Sequence, residues 1–418
     1  MANSMSSGPS TRIDEDTHES LVKQCQPFDH RDQETVSMVT DRIADSRVIG
    51  IAESAHGAKE FKTIPVELCK SLIERHGIRL VMLEATLGNL QAVDEYVAGR
   101  RGDLEEAMEE MRFWFWKTEE IKALFEWIRT FNADRTDDER VRVHGFDAQF
   151  HDASARAIES YLRQVDREYL SELGDELDTL TSPLYRTSQP SFATPDQLEI
   201  VERLENRLAE YEAAYIAESS RSAWELAKRH VWTLERGLLF LDELFDESYA
   251  SGKEIRDPAM AKNVQWLLEW TGIDRGVILG HTNHLLSGYG HEGQRGSRLG
   301  RELTHALGNQ YYALGMRFGE GASTERVGES FEIVDLEGPE PGTFESVLAE
   351  VGEEACFLDL TRLDEPAKSF IGDIDYQQRA NDSGVSVVDD PPQAVMDGVL
   401  YVDEVTPAFF FGISTDGA

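Results

Sequence analysis

Val48-Ile49-Gly50-Ile51, running into Ala52-Glu53-Ser54-Ala55-His56-Gly57, is the stretch whose reading decides the fold. Its first part is short, apolar and β-branched, with no alternation of apolar and polar residues, as in a strand buried on both faces of a parallel sheet. Short β-branched or apolar runs stand at Arg47–Ile51, which holds this first part, and at Arg79–Leu83, Val141–Gly145, Gly276–Leu279 and Tyr311–Gly315. Helical stretches separate them. Glu67–Ile73 and Ile121–Ile128 carry apolar residues at helical spacing and are expected to cover the sheet. The fold class that follows is α/β, a mostly parallel sheet flanked by helices.

The segment 153–250 departs from this alternation. It is long, charged and without strand-like runs, and Leu198-Glu199-Ile200-Val201-Glu202-Arg203-Leu204 is heptad-like. An inserted helical subdomain is expected there, broken at Ser182-Pro183 and Gln189-Pro190-Ser191. Residues 1–16, rich in Ser, Gly and Thr and then acidic, are expected to form a disordered tail, with residues 17–418 as one domain. Gly338-Pro339-Glu340-Pro341-Gly342 marks a break before short strand-like runs, of which Cys356–Leu360 and Phe409–Ile413 are the clearest. These are expected to complete the same domain.

The chain has 418 residues, 40% of them hydrophobic, enough for a sizeable core. Its formal charge is −38, from 41 Lys and Arg against 79 Asp and Glu, spread along the whole length. Such a surface repels nucleic acid and anionic membranes, so neither is expected as a partner. The three cysteines, Cys25, Cys69 and Cys356, fit neither a zinc spacing nor a disulfide framework and read as buried apolar residues. Met1–Gly8 has no apolar signal core, and no stretch approaches the roughly 18 apolar residues of a membrane span. The expected location is the cytoplasm, and the expected state a monomer.

Polar side chains cluster at the ends of the strand-like runs, and in open parallel sheets ligands bind beyond the carboxyl ends of the strands. Glu53 and His56 follow the first run and Glu84 the second. Asp147 closes His144-Gly145-Phe146-Asp147, where it serves either a site or a helix N-cap. His281-Thr282-Asn283-His284 follows the run before it in the same way. Arg256-Asp257-Pro258 reads as a helix start where a loop meets the cleft. Of Phe113-Trp114-Phe115-Trp116, not all can face inward, and Trp114 and Trp116 are candidates to line a substrate pocket with Asp147 and Asn283. Two histidines and two carboxylates could hold zinc, although no H-E-x-x-H helix is present. Nor is there a Gly-x-Ser-x-Gly elbow, a Walker loop or a dinucleotide glycine loop. Water activated by a histidine is therefore the favoured chemistry.

The ordered set Glu53-x-x-His56, Lys59-Glu60-Phe61, Glu84, Phe113–Trp116, Glu126–Arg129 with Asn132, and Gly145-Phe146-Asp147 resembles the erythromycin esterase family. So do Arg256-Asp257-x-x-Met260-Ala261, Gly280-His281-x-Asn283-His284 and Tyr311–Met316. The resemblance runs from roughly residue 40 to 320 and more faintly to the C-terminus. It implies a hydrolase that opens macrolide lactones without metal or other cofactor, on an α/β core with a helical insertion. His56 matches the family's general base, with Glu53 and Glu84 beside it and His281 and His284 completing the site. His284 or Arg256 would stabilise the oxyanion or protonate the leaving alkoxide. The family often shows Gly-Glu-x-Thr/Ser-His-Gly, whereas Ala52 and Ala55 stand at the first and fourth positions here. Substrate choice lies in the pocket walls and the 153–250 segment, so another ester is a competing substrate. A different class again is a non-catalytic protein that holds a metal or small ligand in the same cleft.

A dispersed acidic surface with few lysines is the pattern of a protein adapted to high salt, where screening relieves self-repulsion. Thermal melts should therefore rise with added salt. Maximal stability at low salt would contradict that reading.

Overall fold

The computed structural model describes residues 13–181, 195–246, 248–288, 298–327, 330–380, 384–388 and 390–411. Its strands in chain order are β1 (Gln26–Pro27), β2 (Val48–Glu53), β3 (Leu80–Thr86), β4 (Arg142–Asp147), β5 (Gly276–His281), β6 (Tyr311–Val327), β7 (Ser330–Leu336), β8 (Ala355–Asp359), β9 (Tyr376–Ala380), β10 (Gly384–Val388) and β11 (Gly398–Val405). One sheet has the order β1-β8-β11-β6-β2-β5-β3-β4, with β7 also on β6. The run from β11 to β4 is parallel throughout. Antiparallel pairs stand only at its margin, where β8 joins β11, β1 joins β8 and β7 joins β6. β9 and β10 form a separate hairpin. The sheet is thus mostly parallel with helices on both faces, as the apolar runs predict.

Every residue of β2, β3 and β5 is buried. Successive side chains point to opposite faces. Ile49, Ile51, Val81 and Leu83 pack with Phe61, Leu68, Leu124 and Ile128 of the helices Glu60–His76 and Glu119–Asn132. Val48, Ala52, Leu80 and Met82 pack on the other face with Met260, Val264 and Leu267 of the helix Tyr249–Thr271. The helix Glu119–Asn132 begins where Thr118 Oγ1 accepts from Ile121 N, with Glu119 and Glu120 at its positive end.

Between β4 and β5 the described residues are helical, from His151–Val165 through Arg221–Asp246 to Tyr249–Thr271. They enclose a core of their own that includes Leu162, Leu204, Leu234 and Leu238. The breaks expected at Ser182-Pro183 and Gln189-Pro190-Ser191 lie outside the described residues.

Three local expectations change. Asp257-Pro258 does not start a helix: Ser248 caps it, its side chain accepting from Ser251 N, and Pro258 sits inside. Proline there forfeits one i→i−4 bond, while Met260, Ala261 and Val264 just beyond it are packed in the core. Phe409–Phe411 form no strand; only Phe410 bridges to Thr118, and β11 takes the place beside β6. The first helix begins at Glu15 with Asp14 as its N-cap, inside the stretch expected to be tail.

β6 is the longest strand because it outruns the sheet: its residues Gly321–Val327 pair with β7 as an arm beyond the carboxyl edge. Gly57 lies under that arm. Its carbonyl accepts from Thr324 N at 3.1 Å and Ala408 N at 2.7 Å. A Cβ on Gly57 would fall 1.8 Å from Thr324 O. Only glycine permits this approach, which fixes the loop that carries His56.

Candidate active site

The strand ends bring together Glu53 from β2, Glu84 from β3, Asp147 from β4 and His281 from β5, since parallel neighbours in register finish side by side. All four are buried. A buried carboxylate without partners is very costly, and each of the three carboxylates here is paired.

Glu53 holds two groups. Its Oε1 lies 2.6 Å from His56 Nδ1, and its Oε2 accepts from Lys62 Nζ at 2.5 Å. Lys62 is fully enclosed on the helix Glu60–His76, with its ammonium 4.6 Å over the Trp116 ring. Burial pushes its pKa down, and Glu53 pulls it back up. Because both oxygens of Glu53 act as acceptors, His56 presents Nδ1–H to it and keeps the lone pair on Nε2. The His56 ring stacks on Phe115 at 3.8 Å and 6° between planes. Its other neighbours are His281, 4.7 Å away between centroids, and Trp114 at 6.3 Å, edge on.

His281 has the opposite tautomer. Asn283 N donates to its Nδ1 at 3.1 Å, capping the short helix Thr282–Leu285, so the proton sits on Nε2. That Nε2–H is buried and meets no acceptor among the described residues. Burial pushes the imidazole well below its ordinary range, and the charges of His56, His284, Lys253 and Arg317 add to the effect. His281 is thus a neutral donor beside His56.

Glu84 works behind them. Its Oε2 accepts from His281 N at 2.8 Å, and its Oε1 takes Arg256 Nη2 at 3.1 Å with His284 Nε2 at 3.5 Å. Gly280 makes this possible, since a Cβ there would stand 3.0 Å from Glu84 Oε2. Arg256 also forks onto Asp147 with bonds of 3.0 and 2.5 Å. Asp147 Oδ1 further accepts from Ala148 N and Gln149 N, while Phe150 holds the N-cap position of the next helix. His284 Nδ1 meets Asp257 Oδ1 at 2.8 Å. Lys253, one turn before Asp257, lies 3.3 Å from its Oδ2 and donates to Asn283 O at 2.9 Å. Burial would raise Asp257, but His284 and Lys253 outweigh it and hold the carboxyl below its usual range.

The expected residues therefore separate by position. Glu53, His56 and His281 form one contacting group, whereas Glu84, Arg256, Asp147 and His284 form a buried network whose groups face one another. Trp116 is 2% exposed and donates from Nε1 to Glu84 O, so it builds the floor. Trp114 is half-buried at the rim, in edge contact with Phe331 of the β6–β7 arm and with Phe410. Asn283 contributes its backbone, and its side-chain Oδ1 has no partner among the described residues. The sequence pattern puts Asp257 at the cleft only as part of a helix start, and it does not single out Phe115, Lys62 or Lys253. A lysine between Phe61 and Ile64 and an i,i+4 Lys253–Asp257 pair were the available signals. Among the described residues, no three His, Cys, Asp or Glu side chains converge as a metal would require.

His281 is not alone in resisting protonation. Burial pushes His144 and His151 down to about 4 and His230 down to about 3. Below the ordinary value of about 6.5, the unfolded chain binds protons that these four refuse. Stability should therefore fall as pH drops from about 6.5 towards 4, by about 1.4 kcal/mol per pH unit for each group. Urea midpoints at pH 7.5 and 5.5 measure this, and equal midpoints would contradict it.

The family model described as "Erythromycin esterase" matches residues 73–405, a stretch that opens after the β2 motif. Erythromycin esterase type II of Escherichia coli is 21% identical over 362 residues, which cover 78% of this chain and 84% of that protein. Three solved structures share the fold. A succinoglycan biosynthesis protein has TM-score 0.80 at 20% identity, over 96% of this chain and 99% of its own. A Bacillus cereus protein has TM-score 0.78 at 18% identity, over 94% and 98%. A histidine-to-asparagine mutant of the erythromycin esterase EreC, in its open conformation, has TM-score 0.66 at 17% identity, over 90% and 94%. With a family match over well more than half its length, the chain belongs to the erythromycin esterase family.

Proposed function

We propose that this protein hydrolyses a carboxylic ester or lactone by histidine-activated water, without a metal. The observation that carries the reading is the buried Glu53–His56 contact of 2.6 Å facing the unengaged Nε2–H of His281. His56 Nε2 takes a proton from water as the water oxygen attacks the carbonyl carbon. The oxyanion that forms is met by His281 Nε2–H, a neutral donor on a buried side chain. When the tetrahedral intermediate collapses, the carbon–oxygen bond breaks and the imidazolium of His56 returns its proton to the leaving alkoxide. Glu53 stabilises the imidazolium in between, and Lys62 holds Glu53 in place. His284 and Arg256 act through Glu84, which fixes the end of β5 by accepting from His281 N.

The substrate we infer has an apolar body, since Trp114 stands edge-on to His56 and packs against Phe331 and Phe410. A macrolide lactone is the first to test, in keeping with the names of two relatives. We also read the chain as a cytoplasmic monomer in a salt-rich cell. No helix among the described residues is long and apolar enough to cross a membrane.

Hydrolysis of erythromycin and a panel of activated esters, measured with wild type and His56→Ala in high salt, tests the mechanism. The loss expected is about 10²–10⁴-fold in kcat. Equal rates would remove His56 from the reaction, and activity that follows a stoichiometric bound metal would replace the metal-free route.

A further inference from the structure

One strand away from the His56–His281 pair, the carboxyl ends of β2 and β6 enclose a second polar feature. β2 and β6 are parallel neighbours with Ala52 beside Gly315, so Ser54 and Arg317 both emerge at the catalytic edge. They line a half-open pocket with Phe318, Gly319, Glu337, Glu345 and Gln377. Arg317 is 2% exposed and Ser54 3%.

Arg317 is underused for so buried a group. Its Nη1 donates to Gln377 O at 3.1 Å, but its Nε and Nη2, the fork edge, have no hydrogen-bond partner among the described residues. Nor do Ser54 Oγ and Glu345 Oε1, the latter 3.6 Å from Arg317 Nε and too far to bond. Glu345 is held in place by its other oxygen, which accepts from Gln377 N at 2.8 Å. Buried polar atoms left open on several side chains are costly, and at a cleft the compensation comes from water or from ligand groups that displace it.

The pattern selects the ligand. Two open donors on Arg317 require acceptors, which a cation does not offer. An anion would meet Glu345 directly and Glu337 at the mouth, in a chain of charge −38. A hydroxyl group both donates and accepts, so it suits Arg317, Ser54 and Glu345 together. The cavity volume of about 30 Å³ holds about two water-sized groups rather than a ring.

We propose that Arg317, Ser54 and Glu345 form a subsite for a pair of neighbouring hydroxyl groups, as a saccharide or polyol presents, next to the hydrolytic centre. That the hydroxyls belong to the substrate's own periphery rests on the hydrolase reading; their binding does not. Arg317 and Ser54 donate to one hydroxyl oxygen, and the second hydroxyl donates to Glu345 Oε1.

Calorimetric or saturation-transfer titration of methyl α-glucopyranoside into the full-length protein tests this, with succinate as the anionic probe. Wild type should bind the glycoside saturably, and Arg317→Met should weaken it about tenfold or more, with Arg317→Lys failing to restore it because it lacks the fork. Ser54→Ala, a single-atom deletion that the fold tolerates, should weaken it several-fold, roughly one hydrogen bond's worth. His56→Ala should lose hydrolysis and keep glycoside binding. Binding without hydrolysis of any ester would sink the hydrolase reading and leave the subsite standing. Hydrolysis without glycoside binding would do the reverse. Glycoside binding that ignores both Ser54→Ala and Arg317→Met overturns the subsite, as does tighter binding of succinate that Glu345→Gln strengthens.

Discussion

Glu53 is the group on which the site depends. A carboxylate at the end of a strand buried on both faces is tolerable only if every oxygen is engaged, and Glu53 divides its two between His56 and Lys62. The consequence is directional. By accepting from Nδ1, it leaves Nε2 of His56 as the basic atom, and the stacked ring of Phe115 holds the imidazole in that plane. Lys62 keeps Glu53 from turning away. Removing any one member would strand a buried polar group on the others, which is why the arrangement behaves as a unit.

Glu84 plays the corresponding part for the other half of the cleft. It joins β3 to the end of β5 through His281 N and gathers Arg256 and His284, while Asp147 and Asp257 take their remaining donors. The donors and acceptors of this layer face one another. His281 differs because its Nδ1 is spent on Asn283 N and its Nε2–H is open. One face of the cleft thus carries the His56 ring and the open Nε2–H of His281, and the layer behind it carries the pairing that keeps them still.

Much of this was legible in the sequence. The short apolar or β-branched runs identified β2 to β6, which are buried largely on both faces, and the acids and histidines after those runs marked the carboxyl edge where they gather. What escaped reading depends on packing between distant segments. Pro258 looked like a helix start, yet tertiary contacts carry the helix from Tyr249 straight through it. β11 carries the same local signal, the apolar run Gly398–Val402, and only its place between β6 and β8 comes from topology. Trp114 and Trp116 were chosen over Phe115, although only the fold reveals that Phe115 lies flat on His56 and that Trp116 faces Glu84 O. Nothing in the local pattern around Lys62 tells that its ammonium ends on Glu53.

The family relationship gives the fold and supports a hydrolase of that family, while the walls of this cleft are its own. The arm of β6 and β7 brings Phe331 against Trp114 on one side, and Arg317 lines a polar recess on the other. The central claim, however, is the opposed pair of tautomers. Imidazole ¹⁵N NMR of the histidines near neutral pH, assigned with single His56 and His281 substitutions, measures it most directly. The account predicts the proton on Nδ1 of His56 and on Nε2 of His281. The reverse assignment on either ring would contradict it, since His56 would then have no basic nitrogen facing the cleft or His281 no donor.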